Sequence, residues 1–311
     1  MKLKLDAYTL RLFVAVAQAG SIARAARDAH ISPSALSRRI AELEDTLRAP
    51  VFIRSPRGLD LTEAGRFVLG HAERINAEIE SLVREVAQLG EGELRGHVRL
   101  HTNPAGLIGA LPERLRRFGE RHPQVSLSIV EDDTHRVLRA CLEGDADLGV
   151  GVSGPVPPGM ARWSFVPDAV HVVTLRGHPL AVADGPLTFA QVLDYPVIGY
   201  RAGGALDGLV RTHGRRRDPG FHPRLTVGSF DAICRMIESG LGVALMPASA
   251  LRAYAGSARF ASRALDDDWA RDRSLDIYAL RRSPQPPAVL ALIEMLRAAP
   301  LDGEVGPAPA A

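Results

Sequence analysis

A chain of 311 residues, 46% hydrophobic and 24% charged, has apolar side chain enough for one small and one large folded domain. The formal net charge of +2 means that overall basicity does not reveal a polyanionic partner, although every basic residue except Lys2 and Lys4 is Arg. Two cysteines exclude a disulfide scaffold, and no spanning segment or cleavable leader is visible, so the expected location is a reducing cytoplasm.

Leu10, Phe13, Val14 and Ala17 recur at the spacing of an amphipathic helix, which ends at Gly20. Ser21 is placed to cap a second helix, where Ala25 and Ala26 are small enough for close packing. After Ala29-His30-Ile31, Ser32 caps a third helix, with Pro33 in its first turn, where a missing N–H costs nothing. Leu36, Ile40, Leu43 and Leu47 form its buried stripe and leave Ser34, Ser37, Arg38 and Ala41 outward. Arg can reach a guanine edge or a phosphate, and short hydroxyls near a helix N-terminus can do likewise. The pattern alone also fits any three-helix unit with a solvated face. The next segment separates the two readings. Val51 to Arg54 is strand-like, Ser55-Pro56-Arg57-Gly58 is a turn, and Leu59-Asp60-Leu61 returns before Thr62 caps a new helix. Such a wing sets Arg54 and Arg57 where they can follow backbone phosphates.

The run from Ser21 to Gly65, SIARAARDAHISPSALSRRIAELEDTLRAPVFIRSPRGLDLTEAG, resembles the winged helix-turn-helix of LysR-type transcriptional regulators, and the likeness in organisation continues to about Pro300. Four positions depart from the family's habit: Pro33 stands for a Gln, Arg48 for a Gly at the end of the third helix, Pro56 for a wing-tip Gly, and Asp60 for a basic residue. The DNA-binding set on this reading is Ser21, Ser32, Pro33, Ser34, Ser37, Arg38, Arg54 and Arg57, within a domain of residues 1–62.

Residues 63–92 follow as a dimerisation helix and hinge. Val68, Ala72, Ile75, Ile79, Leu82, Val86 and Leu89 alternate at steps of four and three, a heptad seam flanked by Glu and Arg. A core helix of the next domain is the alternative. Joined directly to the reading head, the helix is better placed to pair two copies, through Val68, Ile75, Ile79, Leu82 and Val86, so that two heads address a two-fold related site. The resemblance implies the same, with pairs of dimers forming tetramers.

Gly90-Glu91-Gly92 is the expected boundary of an α/β domain over residues 93–300, followed by a Pro/Ala tail at 301–311. Strands are expected at Val98–His101, Val125–Ile129 and Ala146–Val152, with helices over Pro104–Arg121 and Arg136–Glu143 between them, giving a mainly parallel sheet. A second block after Trp163 alternates strands near His171–Leu175, Val197–Tyr200, Leu225–Val227 and Val243–Met246 with helices near Ala205–Arg211 and Phe230–Ser239. Ser274–Leu280 and a helix over Pro287–Ala298 return to the first block. The family resemblance implies a two-lobe, periplasmic-binding-protein-like effector domain, with lobe I at about 93–163 and 268–300 and lobe II at about 164–267.

A ligand in such a domain lies outside the carboxyl ends of the strands. Thr102 and Asn103 there suit an anion at a helix start or serve as ordinary caps. Thr134 ends the next strand. Tyr200 and Arg201 end another, where Arg201 is either a charged clamp or a solvated loop residue. Ser229 is first a cap, beside Phe230. The resemblance implies effector contacts at Thr102, Thr134, Tyr200 and Arg201; with Asn103, Ser229 and Phe230 they complete the candidate site for a small anionic metabolite.

Other motifs fail on context. Gly149-x-Gly151-x-x-Gly154 is followed by Pro155, Pro157 and Pro158 rather than by a helix able to take a pyrophosphate. Cys141 and Cys234 have no ligand-spaced partner, and Arg215-Arg216-Arg217 reads as a solvated loop. No catalytic, metal or cofactor constellation is present, so an enzyme is not expected. The reading is a DNA-binding transcription regulator, modulated by a small effector. Its expected partners are double-stranded DNA, further copies of itself and RNA polymerase, with no membrane. A solute-binding module is the alternative, and it predicts an export signal and no wing.

Overall fold

A computed structural model of the protein describes residues 5–55, 58–87, 94–254, 259–281 and 285–298. Arg57, the Gly90-Glu91-Gly92 boundary and the 301–311 tail lie outside them, as does the side chain of Val86. Two compact units form, Met1–Glu91 and Gly92–Ala311.

The first unit runs α1 (Ala7–Ala19), α2 (Ile22–Asp28), α3 (Pro33–Leu47), β1 (Phe52–Ser55), β2 (Gly58–Leu61) and α4 (Glu63–Ala87). Each early helix starts on a side-chain cap: Asp6 accepts from the Thr9 N–H at 2.7 Å, Ser21 from Arg24 and Ser32 from Ala35. Leu10, Leu12, Phe13, Val16, Ala25, Ala26, Leu36, Ile40, Leu43, Val51 and Ala72 make one core. The buried line on α1 thus passes through Leu12 and Val16, with Val14 and Ala17 at its margin. Leu47, expected in the α3 stripe, is exposed because the helix outlasts the core beneath it. Arg48 ends α3 with φ +54, in the left-handed conformation for which the family commonly uses Gly. β1 and β2 form an antiparallel wing with Phe52 opposite Leu61. Gly65 in the first turn of α4 lies so close to the Val51 carbonyl that a Cβ would collide with it.

The second unit has two lobes. The first contains β3 (Arg95–Thr102), α5 (Pro104–Ile108), α6 (Leu111–Arg121), β4 (Gln124–Glu131), α7 (Thr134–Glu143), β5 (Leu148–Val152) and β6 (Met160–Pro167). The chain then crosses to β7 (Val170–Leu175), α8 (Pro179–Val182), α9 (Phe189–Val192), β8 (Val197–Tyr200), α10 (Ala205–Arg217), β9 (Leu225–Val227), α11 (Phe230–Glu238), β10 (Val243–Pro247), α12 (Ala248–Leu251), β11 (Phe260–Ala264) and α13 (Asp268–Arg271). It returns through β12 (Ser274–Leu280) and α14 (Pro287–Arg297). The sheet orders are β4-β3-β5-β12-β6 and β11-β7-β10-β8-β9.

Neither sheet is mainly parallel. β3, β4 and β5 pair in parallel, but the returning β12 pairs antiparallel with β5 and β6; the second sheet is likewise mixed. β6 stays in the first sheet to Pro167, and Trp269 and Ala270 of α13 pack into the second lobe's core, so the crossings fall at Asp168 and Asp272–Arg273, a few residues beyond 163/164 and 267/268. The helix expected over Pro104–Arg121 breaks at Gly109, where a Cβ would meet Ser249 of α12 at 2.6 Å. Gly149 and Gly151 admit Val137 and Thr134 of α7, so these two glycines of the rejected phosphate motif serve helix packing. Arg215, Arg216 and Arg217 are the last turn of α10 rather than a loop, where cations suit the helix dipole. α14 packs back on the first lobe, and the buried Arg114 donates to its terminal carbonyls at Met295 (3.2 Å) and Ala298 (3.0 Å). Among the described residues no helix is long and apolar enough to cross a membrane.

Candidate functional site

In the first unit, one face of α3 is committed to the core, and the opposite face carries Ser34, Ser37 and Arg38, all exposed. The Ser32 hydroxyl caps the helix and contacts the Ser34 hydroxyl at 3.2 Å, while Pro33 occupies the first turn. Arg38 is steadied by Glu42 at 3.4 Å yet remains largely in solvent. Its neighbour Arg39 turns the other way, to Thr9 Oγ1 at 3.0 Å and over the Tyr8 ring, and so braces α3 against α1. Ser21 caps α2, and Arg54 stands exposed on the wing. Arg57 is outside the described residues.

Along α4 the seam divides. Ala72 is buried in the head's core and Val68 packs against it, so Val68, expected at the paired surface, belongs to the head. Ile75, Ile79 and Leu82 (59% exposed) continue the apolar line, joined by two residues the heptad reading omitted, Phe67 (73%) and Val83 (65%).

In the second unit a narrow cleft opens between the lobes, with about 380 Å³ of empty space counted together with the open solvent at its mouth. Asn103, Asp133 and Thr134 line it from the first lobe, Tyr200, Gly204 and Phe230 from the second, and Arg273 from the crossing. Asn103 Oδ1 accepts from the Gly106 N–H at 2.9 Å, so its carbonyl caps α5. The Thr134 hydroxyl accepts from Val152 N–H at 3.1 Å, which anchors the start of α7 to β5. Tyr200 and Phe230 stack with centroids 4.2 Å apart and planes 13° from parallel. Burial pushes the Tyr200 hydroxyl up to about 12, so it meets a ligand as a neutral donor.

Three expected contacts stand elsewhere. Thr102 is fully buried and donates to the Asn103 carbonyl at 3.2 Å; Ser229 caps α11 outside the cleft. Arg201 sits at the rim, bound to Glu131 and Asp133 of the opposite lobe. Asp133, Gly204 and Arg273 were missed. The first two adjoin residues that were named, whereas nothing local marks Arg273. It forms an ion pair with Asp168, both buried, and Asp168 Oδ1 also accepts from the Ser249 N–H at 2.9 Å. Cys141 and Cys234 are buried free thiols pushed up to about 12 and about 11 by burial, as inert structural cysteines would be.

The family model described as bacterial regulatory helix-turn-helix protein, lysR family, matches residues 8–66, and that of the LysR substrate binding domain matches residues 91–300. The probable HTH-type transcriptional regulator LrrA of Synechococcus elongatus is 32% identical over 93% of this chain and 95% of its own. The HTH-type transcriptional regulator IlvY of Escherichia coli is 29% identical over 78% and 82%. Among solved structures, full-length CbnR complexed with its target DNA shares the fold at TM-score 0.68 and 21% identity, covering 94% of this chain and 99% of its own. A full-length OxyR variant from Pseudomonas aeruginosa does so at 0.70 and 23%, covering 94% and 95%. These relatives are transcription regulators rather than enzymes, and the helix-turn-helix match favours regulation over a solute-binding module.

Proposed function

Because the chain belongs to the LysR family of transcriptional regulators, we infer that it reads a two-fold related DNA site as a homodimer or pair of dimers, under control of a small metabolite held between its lobes. One observation carries the DNA half: Ser34, Ser37 and Arg38 stand exposed on the face of α3 opposite the core. Ser32 and Pro33 form the tip of that helix, Ser21 caps the one before it, and Arg54 with Arg57 tracks the backbone from the wing. Ile75, Ile79 and Leu82 hold the copies together, with Val86 completing the seam.

The effector half rests on the cleft. Asn103, Thr134, Tyr200 and Phe230 line it, and a ligand with an anionic group fits their donors and the Arg201 guanidinium at the rim. Effector binding alters the closure of the lobes, and through the paired helices the spacing of the heads, the bend of the DNA and the contact with RNA polymerase. Such a regulator works in the cytoplasm, beside the chromosome.

The test is a gel shift and footprint on the DNA immediately upstream of the protein's own gene. A salt-sensitive, competitor-resistant footprint with two-fold symmetry is expected, and Arg38→Ala should relax sequence preference by about 1–3 kcal/mol if Arg38 reads a base. Uniform weakening on all sequences would assign Arg38 to phosphate. The absence of sequence preference at any salt overturns the assignment of α3 as the reading helix on that DNA.

A further inference from the structure

The rim of the cleft carries a charge set that a simple anion does not suit. Arg201, just after β8, reaches across to the first lobe, Nη2 to Glu131 Oε1 at 3.3 Å and Nη1 to Asp133 Oδ1 at 3.8 Å. Neighbouring charges are already engaged: Asp132 with Arg136 at 3.5 Å, Asp207 with Arg211 at 2.8 Å, and Arg273 with Asp168. Two carboxylates therefore face one guanidinium, and each of the three side chains is about a third exposed, so a ligand can reach all of them.

A ligand carboxylate that took Arg201 for itself would leave Glu131 and Asp133 beside a third negative charge, and like charges at that range disfavour ionisation. A plain cation on the two acids would leave Arg201 without a partner. A ligand bearing both charges avoids either loss. Its carboxylate replaces the rim acids on Arg201, and its ammonium replaces Arg201 on the acids, so every charge leaves one partner for another.

We propose that the cleft takes an α-amino-acid-like zwitterion, its carboxylate at Arg201 and its ammonium at Asp133 and Glu131. This rests on the reading of the cleft as the effector site. Two further observations support it. The stacked Tyr200 and Phe230 rings offer a flat wall to the ligand's side chain. Arg273, which lines the cleft, keeps a buried Nε–H with no acceptor among the described residues, a donor that an oxygen of a bound ligand would satisfy.

The experiment is thermal melting of the full chain, followed by tryptophan fluorescence, with each proteinogenic amino acid, its deaminated acid and its decarboxylated amine. At least one amino acid should raise the midpoint where its two truncated analogues do not. Asp133→Asn and Glu131→Gln should each weaken that amino acid about tenfold or more. Asp133 sits at the N-cap of α7 without a side-chain capping bond and its pair with Arg201 is partly exposed, so without ligand the variant should lose no more than about tenfold in its folding equilibrium. A deaminated acid that binds as well as the amino acid, an unchanged preference in both variants, or no shift from any amino acid overturns the proposal. Phe230→Ala separates the two levels of inference. If a carboxylic acid shifts the midpoint and Phe230→Ala abolishes the shift, the cleft stands and only the zwitterion falls. If every shift survives both Phe230→Ala and Arg201→Ala, the cleft assignment falls with it.

Discussion

Asp168 and Arg273 stand where the two crossings between lobes run side by side, tied by a bond from Asp168 N–H to the Arg273 carbonyl at 2.9 Å. The Arg273 side chain is 4% exposed and that of Asp168 is 0%. Asp168→Asn keeps the shape and still offers an oxygen to the Ser249 N–H, but it leaves the guanidinium buried without a countercharge. Removing one partner of a buried pair costs about 3–5 kcal/mol. Asp168→Ala also orphans the Ser249 N–H, which adds roughly 1–3 kcal/mol. A unit of this size loses about 2–4 °C per kcal/mol, so Asp168→Asn should lower its midpoint by roughly 6–20 °C. The assay is selective, because Trp163 and Trp269 are the two tryptophans of the chain and both lie in the second unit. Arg273→Met added to Asp168→Asn removes the stranded charge, and the double variant should be more stable than Asp168→Asn alone. An Asp168→Asn midpoint close to that of the parent would refute the reasoning, and so would a double variant whose losses simply add.

Three further outcomes can be checked in parallel. Arg48→Gly should stabilise the first unit by about 0.5–1 kcal/mol in urea unfolding, because φ +54 strains any side chain there, although the freer unfolded chain takes back part of the gain; a loss of stability would place the Arg48 side chain in a contact of its own. Burial holds His101, His171, His178 and His213 below the ordinary imidazole range. The unfolded chain then binds the more protons, so stability is full above the unfolded pKa of about 6.5 and is lost as pH falls below it; the second unit's urea midpoint should drop from pH 7 to about 5.5, less so in His171→Phe, and a flat profile would refute this. Leu82→Asp sets a charge on the exposed line of α4 and should shift sedimentation towards the monomer while leaving the head's fold intact, since Leu82 takes no part in its core; an unchanged assembly would place the pairing surface elsewhere.

The head was legible because its determinants are local. Ser21 and Ser32 cap the helices they precede, Pro33 sits where its lost donor is free, and Leu36, Ile40 and Leu43 bury one face. Where a residue's fate depends on how far a partner extends, the pattern misleads. Leu47 is in phase with the α3 stripe but overhangs the core, and Val68 is in phase with the seam but is claimed by the head. In the second unit the order of most elements was readable, but the edge strands β6 and β11 were not expected, and neither was the antiparallel return of β12 between β5 and β6, since it depends on strands far apart in the chain. The break at Gly109 likewise depends on Ser249, which arrives from the other lobe.

The same division runs through the cleft. Asn103, Thr134, Tyr200 and Phe230 were found because a residue that follows a strand or opens the next helix faces the carboxyl edge of a sheet. Asp168 and Arg273 are 105 residues apart, and each alone reads as an ordinary surface charge. Only the double crossing makes them neighbours and buries them. Their position has a physical consequence for control. A ligand can shift the equilibrium between lobe arrangements only through contacts that differ between them. Residues bonded within one lobe, such as Asn103 at the start of α5 or Thr134 at the start of α7, can keep those partners while the lobes move. The span from Arg201 to Glu131 and Asp133 joins the two lobes, so on the proposed reading it is a contact that a ligand in the cleft would change.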